Sequence, residues 1–236
     1  MNAPCISNFV ALFISIMAML SPLGMAPTGQ EPYQRAQEAE PMSDLDTLVD
    51  RLRAATQGSR GGVLVELNGS CVDPESEEIV TPPLVWEDVR AQRDRAATIS
   101  AALRGNKQVS VARISPHVIL VKDENVRQDL LETDVGSLAL NRLERYSPDA
   151  AISAILGSNS LQITLHRLRM RQAVQSTGLA NVNAADEPHP EPHIRDVTLT
   201  GALKLVLQTF GGVIVYEDCA DPGGNRKFNV DYYNRE

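Results

Sequence analysis

Two stretches near opposite ends of this 236-residue chain follow one pattern, and that pattern constrains the fold more than any other feature. In the first, Leu45, Leu48, Val49 and Leu52 recur at helical spacing as far as Thr56. Gly61 and Gly62 then open the run Val63, Leu64, Val65, Glu66, and Cys71 follows. In the second, a helical stripe of Leu203, Val206 and Leu207 reaches Gly211 and Gly212, then Val213, Ile214, Val215, Tyr216, Glu217, and Cys219 follows. The β-branched content of both runs marks them as strands. If the two units are equivalent and lie side by side, their cysteines leave equivalent strand ends and meet. The alternative is coincidence, since helix, glycine, strand is a common junction.

The redox state of those cysteines depends on compartment. From Met1 to Ala26 there is no Asp, Glu, Lys or Arg, and Phe9 to Leu20 is almost wholly apolar, the pattern of a signal-peptide core. As a helix that run rises only about 18 Å, short of the roughly 30 Å hydrocarbon core of a bilayer. Pro22 and Gly24 break it. Gly24 and Ala26 supply the small residues that precede a cleavage site, so residues 1–26 are expected to be a signal removed after Ala26. The lack of a basic residue before the apolar run leaves an uncleaved anchor as the alternative. Cys5 leaves with the signal. Cys71 and Cys219 remain and are expected to join as a disulfide in a periplasmic or secreted protein, with two separate buried thiols as the alternative.

Beyond the signal, residues 27–42 are polar and rich in Gln, Glu and Pro, which predicts a disordered leader. Residues 43–180 are expected to form an α+β domain. Ser43 caps its first helix; a second runs over 85–103 with Val89, Ala96, Ile99 and Leu103 inward; strands at 108–114 and 118–122 pair around Ser115 and Pro116. Residues 68–83 read as a loop, 125–140 as weakly helical, and Pro148 opens a helix to Leu156. The stretch 161–176 fits both periods and is taken as strand, then helix, ending at Gly178. Residues 181–193, with Pro188, Pro190 and Pro192 among Asp186, Glu187 and Glu191, read as an exposed linker. The remaining 194–236 form a βαββ-like unit. The expected whole is a small mixed sheet with helices packed on one face, built as two βαβ-like units joined by the Pro-rich linker.

That last unit, from Ile194 to Tyr233, has a strand, a helix carrying Leu203, Val206 and Leu207, a glycine turn and paired strands. It resembles the short N-terminal domain shared by secretins and TonB-dependent receptors. The resemblance is a hydrophobic pattern without a catalytic motif. It implies a small docking module of the cell envelope, with the protein-contact role of that family and not its transport role.

The charge balance, 22 basic against 30 acidic residues for a net of −8, argues against a general affinity for nucleic acid, and aromatics at 4% offer little for stacking bases. No second apolar run approaches spanning length, so membrane contact is expected only through the signal. His189 and His193 have a spacing that could hold a metal on a helix, but the interleaved prolines remove that helix. Ser115, His117 and Asp123 make a triad only on paper, because triads are defined by geometry. No nucleophile elbow, zinc-protease or phosphate-loop motif is present. No catalytic, metal or cofactor residue is therefore singled out. Arg167, Arg169 and Arg171 form the tightest basic cluster and are the candidate contact for an anionic group or partner. Phe228, Val230 and Tyr232 are the candidate docking edge. The expected function is non-catalytic binding of an envelope protein. An exported hydrolase with a pocket holding His117 or His166 beside a carboxylate is one alternative, and a structural surface protein is the other.

Overall fold

From Gly62 to Leu67 every residue is buried, on both sides of the strand, and the architecture follows from that. The computed structural model of the chain describes residues 45–58, 61–71, 79–173 and 189–234. In chain order the elements are α1 (Leu45–Thr56), β1 (Gly62–Asn68), β2 (Ser70–Cys71), β3 (Ile79–Val80), α2 (Arg95–Ala102), β4 (Val109–Ser115), β5 (Val118–Asp123), α3 (Gln128–Leu131) and β6 (Leu138–Ala139). Next come α4 (Arg142–Tyr146), α5 (Pro148–Leu156), α6 (Asn159–Leu168), β7 (Met170–Gln172), β8 (His193–Ile194), α7 (Leu199–Phe210), β9 (Gly212–Ala220) and β10 (Arg226–Tyr233). Six strands form one mixed sheet in the order β4-β5-β1-β9-β10-β7, and two small pairs, β2-β3 and β6-β8, stand beside it. The fold is α+β, as the sequence predicts.

Helices cover both faces of the sheet, not one. Successive residues of a strand point to opposite sides. Val63, Val65 and Leu67 meet α1 and α2 through Leu48, Val49, Leu52, Ile99 and Leu103. Leu64, Ile214, Phe228 and Val230 face the other way, onto α3, α5, α6 and α7. Both sets are apolar, so each needs its own cover, the burial of one such side chain being worth about 1.5–3 kcal/mol.

The repeated pattern is structural. β1 and β9 are adjacent and parallel, with Gly62 opposite Gly212 and Val65 opposite Val215. The Gly pairs permit the close start of the two strands: a Cβ on Gly62 would lie 2.7 Å from the Gly212 carbonyl oxygen, and Gly212 itself has φ +79°. Cys71 and Cys219 form the disulfide, with Cα atoms 5.4 Å apart. The segments on either side of 181–193 therefore build one sheet, since β9 lies between β1 and β10. The described residues all fall within one compact unit, Ala39–Glu236. Residues 1–26, expected as a signal, residues 27–42, expected as a leader, Ser43, Gly178 and residues 181–188 of the expected linker lie outside the described residues.

Three local expectations are corrected. The helix expected over 85–103 occupies only Arg95–Ala102, because Asp94 caps it by accepting from the Ala96 amide at 3.0 Å. The backbone of the preceding stretch bonds elsewhere: Val85 N donates to Asn106 Oδ1 and Glu87 N to the Ala102 carbonyl. Residues 161–172 run helix then strand, the reverse of the expected order. Leu161, Thr164 and Leu165 share the buried stripe while Ile163 is 62% exposed, so the period of a helix prevails over the alternation. Within 68–83, taken as loop, β1 continues to Asn68 and β2 pairs with β3.

Candidate functional site

The site forms where α6 turns back into the sheet. Helix α6 ends on Arg169, which adopts the left-handed conformation at φ 50°, ψ 43° and donates its amide to the His166 and Leu165 carbonyls. Glycine normally fills that position, and an L side chain there costs about 1–2 kcal/mol. The reversal feeds straight into β7, which pairs in parallel with β10 from Arg226 to Phe228. Met170 turns inward and is buried, whereas Arg169 and Arg171 on either side of it are exposed.

Opposite them stands the β9–β10 turn, and between the two lies a cleft of about 580 Å³. Leu165 and Met170 give it apolar wall. His166, Arg169, Arg171 and Arg226 give it basic groups, with Asp221 and Asn225 from the turn. Two of the three arginines singled out in the sequence thus line one cleft. Arg167 does not; it lies on the exposed face of α6, one turn after Ile163.

The charges in this cleft are not equivalent. Arg226 donates through both terminal nitrogens to Asp129, one of these bonds being 2.9 Å, and through Nη2 to Asp218 at 3.1 Å. Its guanidinium holds the Asp129 carboxyl below the ordinary carboxylate value. Asp218 is fully buried, and that burial pushes its carboxyl up despite Arg226. Asp221 accepts from the Asn225 backbone amide at 2.8 Å and from its side-chain amide at 3.1 Å, which holds it low and ionised. Arg226 is already matched by two carboxylates, so the attraction for an incoming anion comes from Arg169 on the rim of the cleft.

A second polar group lies beside it, toward the carboxyl ends of the parallel strands, where open α/β sheets place their sites. Glu66 of β1 stands opposite Lys122 of β5 and Tyr216 of β9. It is 1% exposed, accepts from the Thr200 hydroxyl at 3.4 Å, and has its carboxyl raised by burial. Burial also raises the Tyr216 phenol. Glu66 Oε2, Tyr216 Oη and Asp218 Oδ1 have no hydrogen-bonding partner among the described residues.

The other residues singled out in the sequence are placed as follows. His117 is exposed in the turn between β4 and β5, while Asp123 is buried at the far end of β5 and accepts from Asn125 at 2.8 Å, so Ser115, His117 and Asp123 are not assembled. The His189 ring packs on Tyr146 with centroids 4.9 Å apart, and His193 begins β8. Among the described residues no group of three His, Cys, Asp or Glu side chains could hold a metal ion, and no helix is long and apolar enough to cross a membrane. Phe228 and Val230 put their side chains into the core, and β7 pairs with the first part of β10, so this strand is not an open edge at Phe228. Sequence reasoning missed Arg226, Asp129 and Glu66 as members of a site. The nearest signal was the turn Pro222, Gly223, Gly224, which presents Arg226 at the start of a strand.

Set beside known protein families, curated proteins and solved structures, the chain matches none of them.

Proposed function

We propose that this chain is an exported, non-catalytic binding protein of the cell envelope that docks another protein through the cleft between α6–β7 and the β9–β10 turn. The apolar segment at residues 9–20 supports export, and the disulfide between Cys71 and Cys219 is chemistry that suits an oxidising compartment. The resemblance of residues 194–233 to the docking domain of secretins and TonB-dependent receptors points the same way. The observation that carries the reading is the placement of His166, Arg169 and Arg171 around one cleft in a chain of net charge −8. An anionic partner is drawn there and repelled from most of the remaining surface.

The test is affinity capture from the organism's own envelope fraction by the tagged mature protein and by its R167S/R169S/R171S variant. A partner held by the first and lost by the second, with unchanged circular dichroism, supports the reading; equal capture overturns it. Sequencing of the exported product is expected to begin at Pro27. A reduced product dissolved in the cytosol removes the compartment.

One observation favours hydrolysis as a second reading: His166 shares its cleft with the carboxylate Asp221. Both Asp221 oxygens are engaged by Asn225, and the cleft lining contains no Ser, Thr or Cys. Hydrolysis of activated esters that disappears in His166→Ala supports this second reading, and a rate equal to buffer dismisses it.

A further inference from the structure

The cleft is not only basic. Leu165 and Met170, 8% and 6% exposed, contribute apolar atoms to its lining beneath the charged rim. A thioether such as that of Met170 accommodates apolar groups of different shape. The outer face of α6 continues the same mixture, since Ile163, 62% exposed, lies one turn before His166 and Arg167. Apolar and basic groups are therefore mixed both in the cleft and on the exposed turn of α6 next to it in sequence.

Charge complementarity alone would accept a phosphate, but a compact anion leaves Leu165 and Met170 unused. Arg226, the deepest cation, already carries the carboxylates of Asp129 and Asp218. Arg169 keeps a left-handed backbone that glycine would adopt without strain, so its guanidinium stands on the rim at a cost to stability. A volume near 580 Å³ lies within the range of sites that enclose a small organic group, and suffices for a few side chains.

Building on the proposed docking function, we infer that the occupant of this cleft is an acidic protein segment that also carries a large apolar side chain. The segment's carboxylates engage Arg169, where a planar guanidinium matches a carboxylate with two parallel hydrogen bonds. Its apolar side chain enters against Leu165 and Met170.

Fluorescence anisotropy on the full mature protein tests this with short labelled peptides. One consists of Asp and Glu around a central Leu, one has Ser in place of the Leu, and one has Lys in place of the acids. The Leu peptide is expected to bind about tenfold more tightly than the Ser peptide, and the Lys peptide not at all. Arg169→Gly, which suits the backbone there, should weaken both acidic peptides. Equal affinity for the Leu and Ser peptides, with both lost in Arg169→Gly, overturns the apolar anchor and leaves the anionic docking site standing. Acidic-peptide binding that Arg169→Gly does not change overturns both. Inorganic phosphate that competes as well as the Leu peptide assigns the cleft to a phosphate-bearing partner, and no binding of either acidic peptide overturns the inference.

Discussion

The two faces of the central sheet are built to different rules. On the face covered by α1 and α2, Val63, Val65, Val121, Val213 and Val215 meet Leu48, Leu52 and Ile99, and the disulfide closes the region near the end of β9. On the other face, an apolar centre of Leu64, Ile214 and Leu203 gives way at the carboxyl ends of the strands to Glu66, Tyr216, Asp218 and Arg226. The first face shows how a chain of this kind secures itself. The first face also buries charge at its strand ends, in Glu217 and Lys227, and closes there with the disulfide; the second spends stability through the Arg226 ion pairs and, beside them, a left-handed arginine, and such local costs cluster where a protein makes its contacts.

The largest expected effect falls on the secured face. Replacing both cysteines, as C71S/C219S, removes a loop closure over a sequence separation of 148 residues. The chain-entropy relation puts the loss at no more than about 5 kcal/mol. Urea unfolding should show it as a lower midpoint; an unchanged midpoint would make the two faces equal in this respect. Next in size is Arg226→Ala, which strands the fully buried Asp218 and is expected to cost about 3–5 kcal/mol. The double variant R226M/D218L should recover most of that loss, since an apolar pair of similar volume suits a buried position. A double variant as unstable as the single would show that the ion pair itself, and not the stranded carboxylate, holds the hairpin.

A pH series comes third. Glu66, Glu217 and Asp218 have carboxyls raised by burial, so the folded protein binds protons more readily than the unfolded chain at these positions. Their contribution is fully present below the ordinary carboxylate value near 4 and is lost as pH rises through each higher folded value. Asp129, held low by Arg226, works in the opposite sense: its contribution is present above the ordinary value and lost as pH falls through its lower folded one. The urea midpoint should therefore be higher at about pH 5 than at about pH 7, and Glu66→Gln should reduce that difference. A midpoint that falls steadily from neutral pH would contradict the raised carboxyls. The smallest effect on stability belongs to Arg169→Gly, within about 1 kcal/mol of the parent, because relief of the left-handed strain offsets the added freedom of the unfolded chain. A large loss there would mean that the arginine side chain supports the fold.

The sequence made the secured face readable and the other only in part. Gly62 and Gly212, each opening a β-branched run, carry their meaning locally, and their side-by-side placement followed from their likeness. Alternation over Leu161, Ile163 and Leu165 looked like a strand, and only the packing of Leu161 and Leu165 on one stripe and the reversal at Arg169 resolve it as helix. The helices at Pro148–Leu156 and Leu199–Phe210 were readable, but that the sheet is covered on both faces was not, because a strand buried on both sides has no polar phase to tell the faces apart. The arginine cluster was visible as composition. Its meeting with Arg226, and the pairing of Arg226 with Asp129 across 97 residues, depend on sheet register, which no local pattern records.

The neighbour relation of β1 and β9 also governs the order in which the molecule can be made. β1 emerges early, but one of its two flanking strands, β9, begins at Gly212, 150 positions after Gly62. Until then Leu64 and its row lack α7, the sulfur of Cys71 lacks its mate, and half of the strand's hydrogen-bonding edge is open. Folding must wait for β9, a topology that favours slow closure, and any truncation before Gly212 should leave a chain unable to complete its centre.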